Sequence, residues 1–140
     1  MGLIFADLEL RNPSKPSLKP IVVKALVDTG ASYMCLPQYV ANQLQLAVDT
    51  ADPDGSREVE TADGSTHVVP YIGPLNVRFD NRKSYSGALL MGDEPLLGAI
   101  TMQDLDVVVS PMDETTVVNP RSPNIARGKA KLSSEVSSEK

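Results

Sequence analysis

The chain is predicted to be all-β with one or two short helices, and three observations lead there. Short apolar runs, β-branched or alternating with polar residues, recur along it, at Ile21–Val27, 75–79, 106–110 and 115–118 among others. Clusters of proline, glycine, asparagine and aspartate separate these runs and mark loops. Asp63-Gly64 stands between two strand-like arms, the arrangement of a tight hairpin whose turn needs positive φ.

In chain order, residues 3–10 come first and alternate from Phe5 to Leu10, which predicts a strand. Three prolines, Pro13, Pro16 and Pro20, force a loop, and Ile21–Val27 then predicts a second strand returning antiparallel to the first. Residues 33–36 form another short strand, and Pro37 opens a helix over 38–44 in which Val40 and Leu44 lie one turn apart. A loop with Asp49, Asp52, Pro53, Asp54 and Gly55 leads to the hairpin over 57–72. Residues 75–79 alternate cleanly, 80–83 read as a turn, and 84–91 as the next strand. After Leu96-Leu97-Gly98, the runs 106–110 and 115–118 flank Pro111-Met112-Asp113-Glu114 as a last hairpin. From Asn119 polar and charged residues prevail, so the expected division is a domain over 1–118 and a flexible polar tail over 119–140.

Composition narrows the function classes. With 140 residues, 41% of them apolar, the chain suits one domain with a modest core. Its net charge is -5 and its positive residues are scattered, so no nucleic-acid partner is expected. The basic cluster at 121–131 lies in the polar tail and reads as solvated. Cys35 is the one cysteine; it cannot form an internal disulfide, reads as a small core residue and suits a reducing, cytoplasmic setting. No apolar run approaches the roughly 20 residues of a membrane span, and the first five residues are too few for a signal peptide, so no membrane partner is expected. His67 has no cysteine or acidic partners at ligand spacing, so neither a metal nor a cofactor is expected.

Two segments carry chemistry. Ala25-Leu26-Val27-Asp28-Thr29-Gly30-Ala31-Ser32 is an apolar strand that delivers one carboxylate at its end, followed by a glycine suited to a tight turn. Far downstream stands Leu96-Leu97-Gly98. Together they resemble the active-site loop and supporting segment of retropepsin-like (clan AA) aspartic proteases, in the free-standing prokaryotic form. The resemblance implies a closed β-barrel, a short second helix over 101–105, and one active-site half per chain. It implies Asp28 as the catalytic residue, with Thr29, Gly30, Ala31, Leu97 and Gly98 supporting its loop. Thr29 matches a threonine that bonds across a dimer, and Gly30 a backbone donor. Ser32 stands where viral enzymes often hold an aspartate that grips substrate backbone. The hairpin implies a substrate-covering flap with Ala62, Asp63, Gly64 and Ser65 at its tip. Gly64 is the only tip glycine, and Ala99-Ile100 stand where viral relatives carry an arginine.

The sequence holds no second Asp-Thr-Gly. Peptide hydrolysis by paired carboxylates needs one group to take a proton from water and another to donate one to the carbonyl oxygen. The expected enzyme is therefore an aspartic endopeptidase acting on peptide or protein substrates as a homodimer, with Asp28 contributed by both copies. Two alternatives belong to other classes: a peptide-binding or dimerisation module on the same fold without catalysis, and an unrelated small β-barrel with a structural role.

Overall fold

The computed structural model describes residues 2–49 and 52–131, and the part of the expected tail over 132–140 lies outside the described residues. Its elements are β1 (Phe5–Arg11), β2 (Ile21–Val27), β3 (Cys35–Leu36), α1 (Gln38–Gln43), a single 3₁₀ turn over Pro53–Gly55, β4 (Ser56–Glu60), β5 (Thr66–Phe79), β6 (Arg82–Leu90), β7 (Leu96–Leu97), α2 (Ala99–Leu105), β8 (Val107–Ser110) and β9 (Thr115–Val118). Six strands hydrogen-bond in the order β1-β2-β7-β3-β6-β5, and β5 pairs again with β1, closing a barrel. Closure removes the open strand edges that otherwise invite pairing with foreign chains.

The alternation read from the sequence points the right residues inward. Leu8 and Leu10 of β1, Leu75 and Val77 of β5, and Leu97 of β7 are fully buried, and Val40, Ala41 and Leu44 of the α1 segment join them. Each such leucine or valine contributes on the order of 1.5–3 kcal/mol relative to exposure. The proline-rich loop is tied to the helix end by Asn12, whose side-chain amide donates to the Leu44 carbonyl at 2.8 Å.

Three sequence expectations change in detail. The arm 66–72 and the strand 75–79 are one continuous strand, β5, because a register shift between Ile72 and Leu75 carries the ladder past Gly73 and Pro74. Its first half pairs with β4 and its second with β1 and β6, so a single strand joins the hairpin to the barrel. The turn expected over 80–83 is confined to Asp80 and Asn81, with Asp80 at φ 53°, and Arg82 and Lys83 open β6. Residues 3 and 4 precede β1, and Leu3 is solvent-exposed.

Residues 119–127, read from composition as tail, lie against the barrel. Asp106, left-handed at φ 55° where α2 ends, accepts from the Asn119 amide at 2.9 Å, the Ser122 hydroxyl at 2.5 Å and the Arg127 backbone N–H at 2.9 Å. Arg82 is buried to 1% exposure; its guanidinium donates to the Ser122 carbonyl and lies 3.8 Å from the Asp106 carboxylate. The Ser122 and Asn119 side chains, the Arg127 amide and then Arg82 hold the Asp106 carboxyl below the usual 3.8, at about 2.

The folded state thus binds the proton on Asp106 less readily than the unfolded chain does. Its stabilisation is complete above 3.8 and fades as pH falls toward 2. The expected result is that Asp106→Asn melts below the wild type at neutral pH, with the gap closing in that acid window, as read by circular-dichroism melts across pH. A gap independent of pH shows that the anchor works without its charge.

Candidate active site

The loop from Asp28 to Met34 connects β2 to β3, and β7 lies between those two strands. β7 runs parallel to β2, pairing Val27 with Leu97, and antiparallel to β3, pairing Leu96 with Cys35. Two residues of strand are enough here because both edges are used. The Asp28 N–H donates to the Leu97 carbonyl at 3.1 Å, fixing the backbone of the aspartate to the fully buried Leu97. The loop then closes on itself. The Gly30 N–H donates to Asp28 Oδ1 at 2.9 Å, and the Ala31 N–H to the Asp28 carbonyl at 3.2 Å.

The start of α2 completes the support. The first amides of a helix have no partner within it. Here the Ala99 N–H donates to the Ala31 carbonyl at 2.8 Å and the Ile100 N–H to the Ser32 carbonyl at 3.0 Å. Gly98 stands so close to this loop that a Cβ there meets the Tyr33 carbonyl oxygen at 2.4 Å and the Ser32 oxygen at 2.9 Å. The other side of α2 is fastened to β6 by Ser84 Oγ donating to Asp104 at 2.5 Å and by Ser86 and Thr101 hydroxyls 3.2 Å apart. Asp28, Gly30, Ala31, Ser32, Leu97 and Gly98 are therefore one bonded unit.

Within this single chain, Asp28, Thr29 and Gly30 are exposed, and the Thr29 hydroxyl has no partner among the described residues. Cys35 is half-buried behind the loop and free. Burial first, and then the negative charge of Asp28, push its thiol up, which keeps it protonated and poorly nucleophilic.

The hairpin of β4 and β5 carries the expected flap tip. Thr61 and Ser65 close it through Thr61 N–H to Ser65 O at 2.9 Å, and Gly64 takes φ 86°, where a side chain is strained. Asp63 Oδ1 accepts the Ser65 hydroxyl at 2.6 Å, the Thr61 hydroxyl at 2.6 Å and the Ser65 N–H at 3.0 Å, which hold its carboxyl far below the ordinary range. His67 is exposed and its Nε2 lies 3.0 Å from Ser65 Oγ; because that hydroxyl donates to Asp63, the imidazole donates to it. The order Asp-Ser-His differs from a nucleophilic triad, which needs histidine between acid and hydroxyl. The hydrogen bonds of Asp63, Gly64 and Ser65 stay within the hairpin, and none joins the tip to the Asp28 loop among the described residues.

What connects hairpin and loop is a set of side chains with no signal in the sequence. Tyr71, at the base of the hairpin, meets the ring of Tyr33 edge-on with centroids 5.8 Å apart, and the Arg57 guanidinium covers the Tyr71 ring at 4.3 Å. Gly87 of β6 makes room, since a Cβ there falls 2.2 Å from the Tyr71 ring. Only the pairing of β5 with β6 shows that a tyrosine and a glycine 16 positions apart occupy one space.

Known proteins share this fold. Residues 19–83 match the family model described as "gag-polyprotein putative aspartyl protease", a span that holds Asp28 and the hairpin and stops short of Leu97 and Gly98. The retroviral protease-like domain of Ddi1 from Leishmania major superposes with a TM-score of 0.52 at 11% identity, covering 85% of this chain and 91% of that one. The fold is that of the retropepsin-like proteases. The EIAV protease complexed with the inhibitor HBY-793 matches at a TM-score of 0.49 and 18% identity, over 72% of this chain and 86% of that one. No curated protein matches the sequence. Within this barrel, β2, the Asp28 loop and the β7–α2 junction form one hydrogen-bonded support for the Asp28 carboxylate. Among the described residues no group of three His, Cys, Asp or Glu side chains could hold a metal ion, and no helix is long and apolar enough to cross a membrane.

Proposed function

We propose that the protein is an aspartic endopeptidase whose catalytic pair consists of Asp28 from each of two copies, within a protease domain over 1–118. The observation that carries this is the exposed Asp28 carboxylate, held rigidly by Gly30, Leu97 and α2 in a chain with a single such loop. One carboxylate held this way lacks the acid that must protonate the substrate carbonyl while it activates water. A second copy supplies it. Two carboxylates at close range do not both stay ionised, so the pair shares one proton: the ionised partner takes the proton of a water, and the protonated one donates to the carbonyl oxygen. Because that singly protonated state is lost when both groups ionise, the activity maximum lies on the acid side of neutrality.

The Thr29 hydroxyl, without a partner among the described residues, stands beside Asp28, where a two-fold mate can receive it. β8 and β9 form a separate two-stranded sheet that pairs with no barrel strand among the described residues and has edges to offer a mate. The hairpin covers the bound peptide, with Ser32 and residues 62–65 against the substrate. The single tip glycine and Ala99-Ile100 separate the chain from the viral pattern and fit a prokaryotic type. The unpaired Cys35 fits a reducing, cytoplasmic compartment.

The test is subunit mixing. Adding a threefold excess of inactive Asp28→Asn chains to wild type and allowing exchange is expected to remove most cleavage of an unstructured peptide at mildly acid pH, because most wild-type chains then sit in mixed pairs. Undiminished cleavage overturns the shared site. Dimers that bind peptide without cutting it support the non-catalytic module instead.

A further inference from the structure

Three positive residues far apart in the sequence, Arg11, Arg78 and Lys83, meet on one outer face of the barrel. The ladders align Glu9 with Arg78 and Arg11 with Asn76 across β1 and β5, then Arg78 with Lys83 and Asn76 with Tyr85 across β5 and β6. Their neighbours Leu10, Val77 and Ser84 are buried, so alternation turns all six of these side chains outward. The result is a grid of two rows, Glu9-Arg78-Lys83 and Arg11-Asn76-Tyr85. Five of the six line a cavity of about 430 Å³, and Tyr85 adjoins it, two-thirds exposed.

The charges are three positive and one negative, a local +2 on a chain of net -5. Glu9 is already engaged by Arg11 at 3.4 Å. Arg78 has no ion pair among the described residues, and the Lys83 ammonium rests over the Tyr85 ring at 5.2 Å. Between them the Asn76 Oδ1 is buried with no hydrogen-bond donor among the described residues.

We propose that this face docks an acidic segment of the polypeptide substrate, at a distance from the cleaved bond. An extended acidic peptide matches the charge of the face. Its carboxylates pair with Arg78 and Lys83, which stand side by side on neighbouring strands, next to the positive charge of Arg11. A nucleic acid fits less well: the grid spans only about 10 Å across three strands, and the net charge of -5 on the chain repels a long polyanion. Tyr85 also borders a second cavity, of about 380 Å³, with Tyr71 and Gly87, so a peptide leaving the face at Tyr85 reaches the side chains that contact Tyr33 of the Asp28 loop. The assignment of the acidic segment to a substrate rests on the peptidase reading above.

The test uses full-length Asp28→Asn protein and a fluorescein-labelled eight-residue peptide alternating glutamate and serine, followed by anisotropy. Saturable binding is expected, weakened about tenfold by combined Arg78→Glu and Lys83→Glu and progressively by salt. Combined Arg78→Lys and Lys83→Arg is expected to retain it. Since these side chains are exposed, circular-dichroism melts should show all variants folded. Absence of binding, or equal binding by the charge-reversed variant, overturns the proposal, and so does an oligothymidine competitor that binds the face more tightly than the peptide. Binding without any cleavage by the wild type sinks the peptidase reading and leaves the docking face as an acidic-peptide site. Cleavage without binding does the converse.

Discussion

Asp28→Asn is expected to reduce peptide cleavage by about 10³-fold or more while leaving the fold and melting temperature essentially unchanged. The reasoning starts from the loop geometry. Asp28 is exposed in the single chain, and the one hydrogen bond its carboxylate receives among the described residues, from the Gly30 N–H at 2.9 Å, can be accepted equally by an asparagine Oδ1. Its backbone bond to Leu97 does not involve the side chain. Structure is therefore preserved, whereas an amide neither takes a proton from water nor shares one with a mate. Kinetics with an unstructured peptide and melting curves on the same samples check both halves. Residual cleavage within a few-fold of wild type shows that another group does the chemistry; lost cleavage with a collapsed melt shows that Asp28 holds the loop together.

Gly98→Ala is expected to destabilise the protein by about 3 kcal/mol, measured as a lower urea midpoint, and to abolish cleavage in whatever remains folded. Gly98 has φ -93°, a conformation open to any residue, so the demand is one of space. The added carbon runs into the backbone of the Asp28 loop, with the Tyr33 oxygen at 2.4 Å, the Tyr33 carbonyl carbon at 2.7 Å and the Ser32 oxygen at 2.9 Å. No side-chain rotation relieves these contacts. Either α2 retreats, freeing the Ala99 and Ile100 amides from Ala31 and Ser32, or the Asp28 loop moves. Gly64→Ala is the informative contrast: nothing lies within 4 Å of its Cβ position, and only φ 86° opposes it, so about 1–2 kcal/mol is expected there, confined to the hairpin. Equal effects at both glycines contradict this account of Gly98.

The elements legible in the sequence are those whose signals are local. Ile21–Val27 is a strand with the boundaries its β-branched run predicts, and the Asp63-Gly64 hairpin follows from a turn that needs positive φ. The loop at Asp28 and the segment at Leu97-Gly98 are visible as motifs, and hydrogen bonds join them. Other features have no local signal. Residues 119–127 read as tail because composition cannot show that Asn119, Ser122 and Arg127 all donate to Asp106. Arg82 reads as part of a turn, since arginine is seldom buried, and only its partners Ser122 and Asp106 explain its place.

By itself the sequence determined the alternation that sends Leu8, Leu10, Leu75 and Val77 inward, the turns that let strands reverse, and the carboxylate at the end of β2. Tertiary structure alone decided what lies beside what: β7 between β2 and β3, Tyr71 over Gly87, and Arg11, Arg78 and Lys83 on one face. The physical reason is that side-chain direction follows from a period of two along the chain, whereas proximity across a barrel follows from ring closure and register, which depend on residues tens of positions apart.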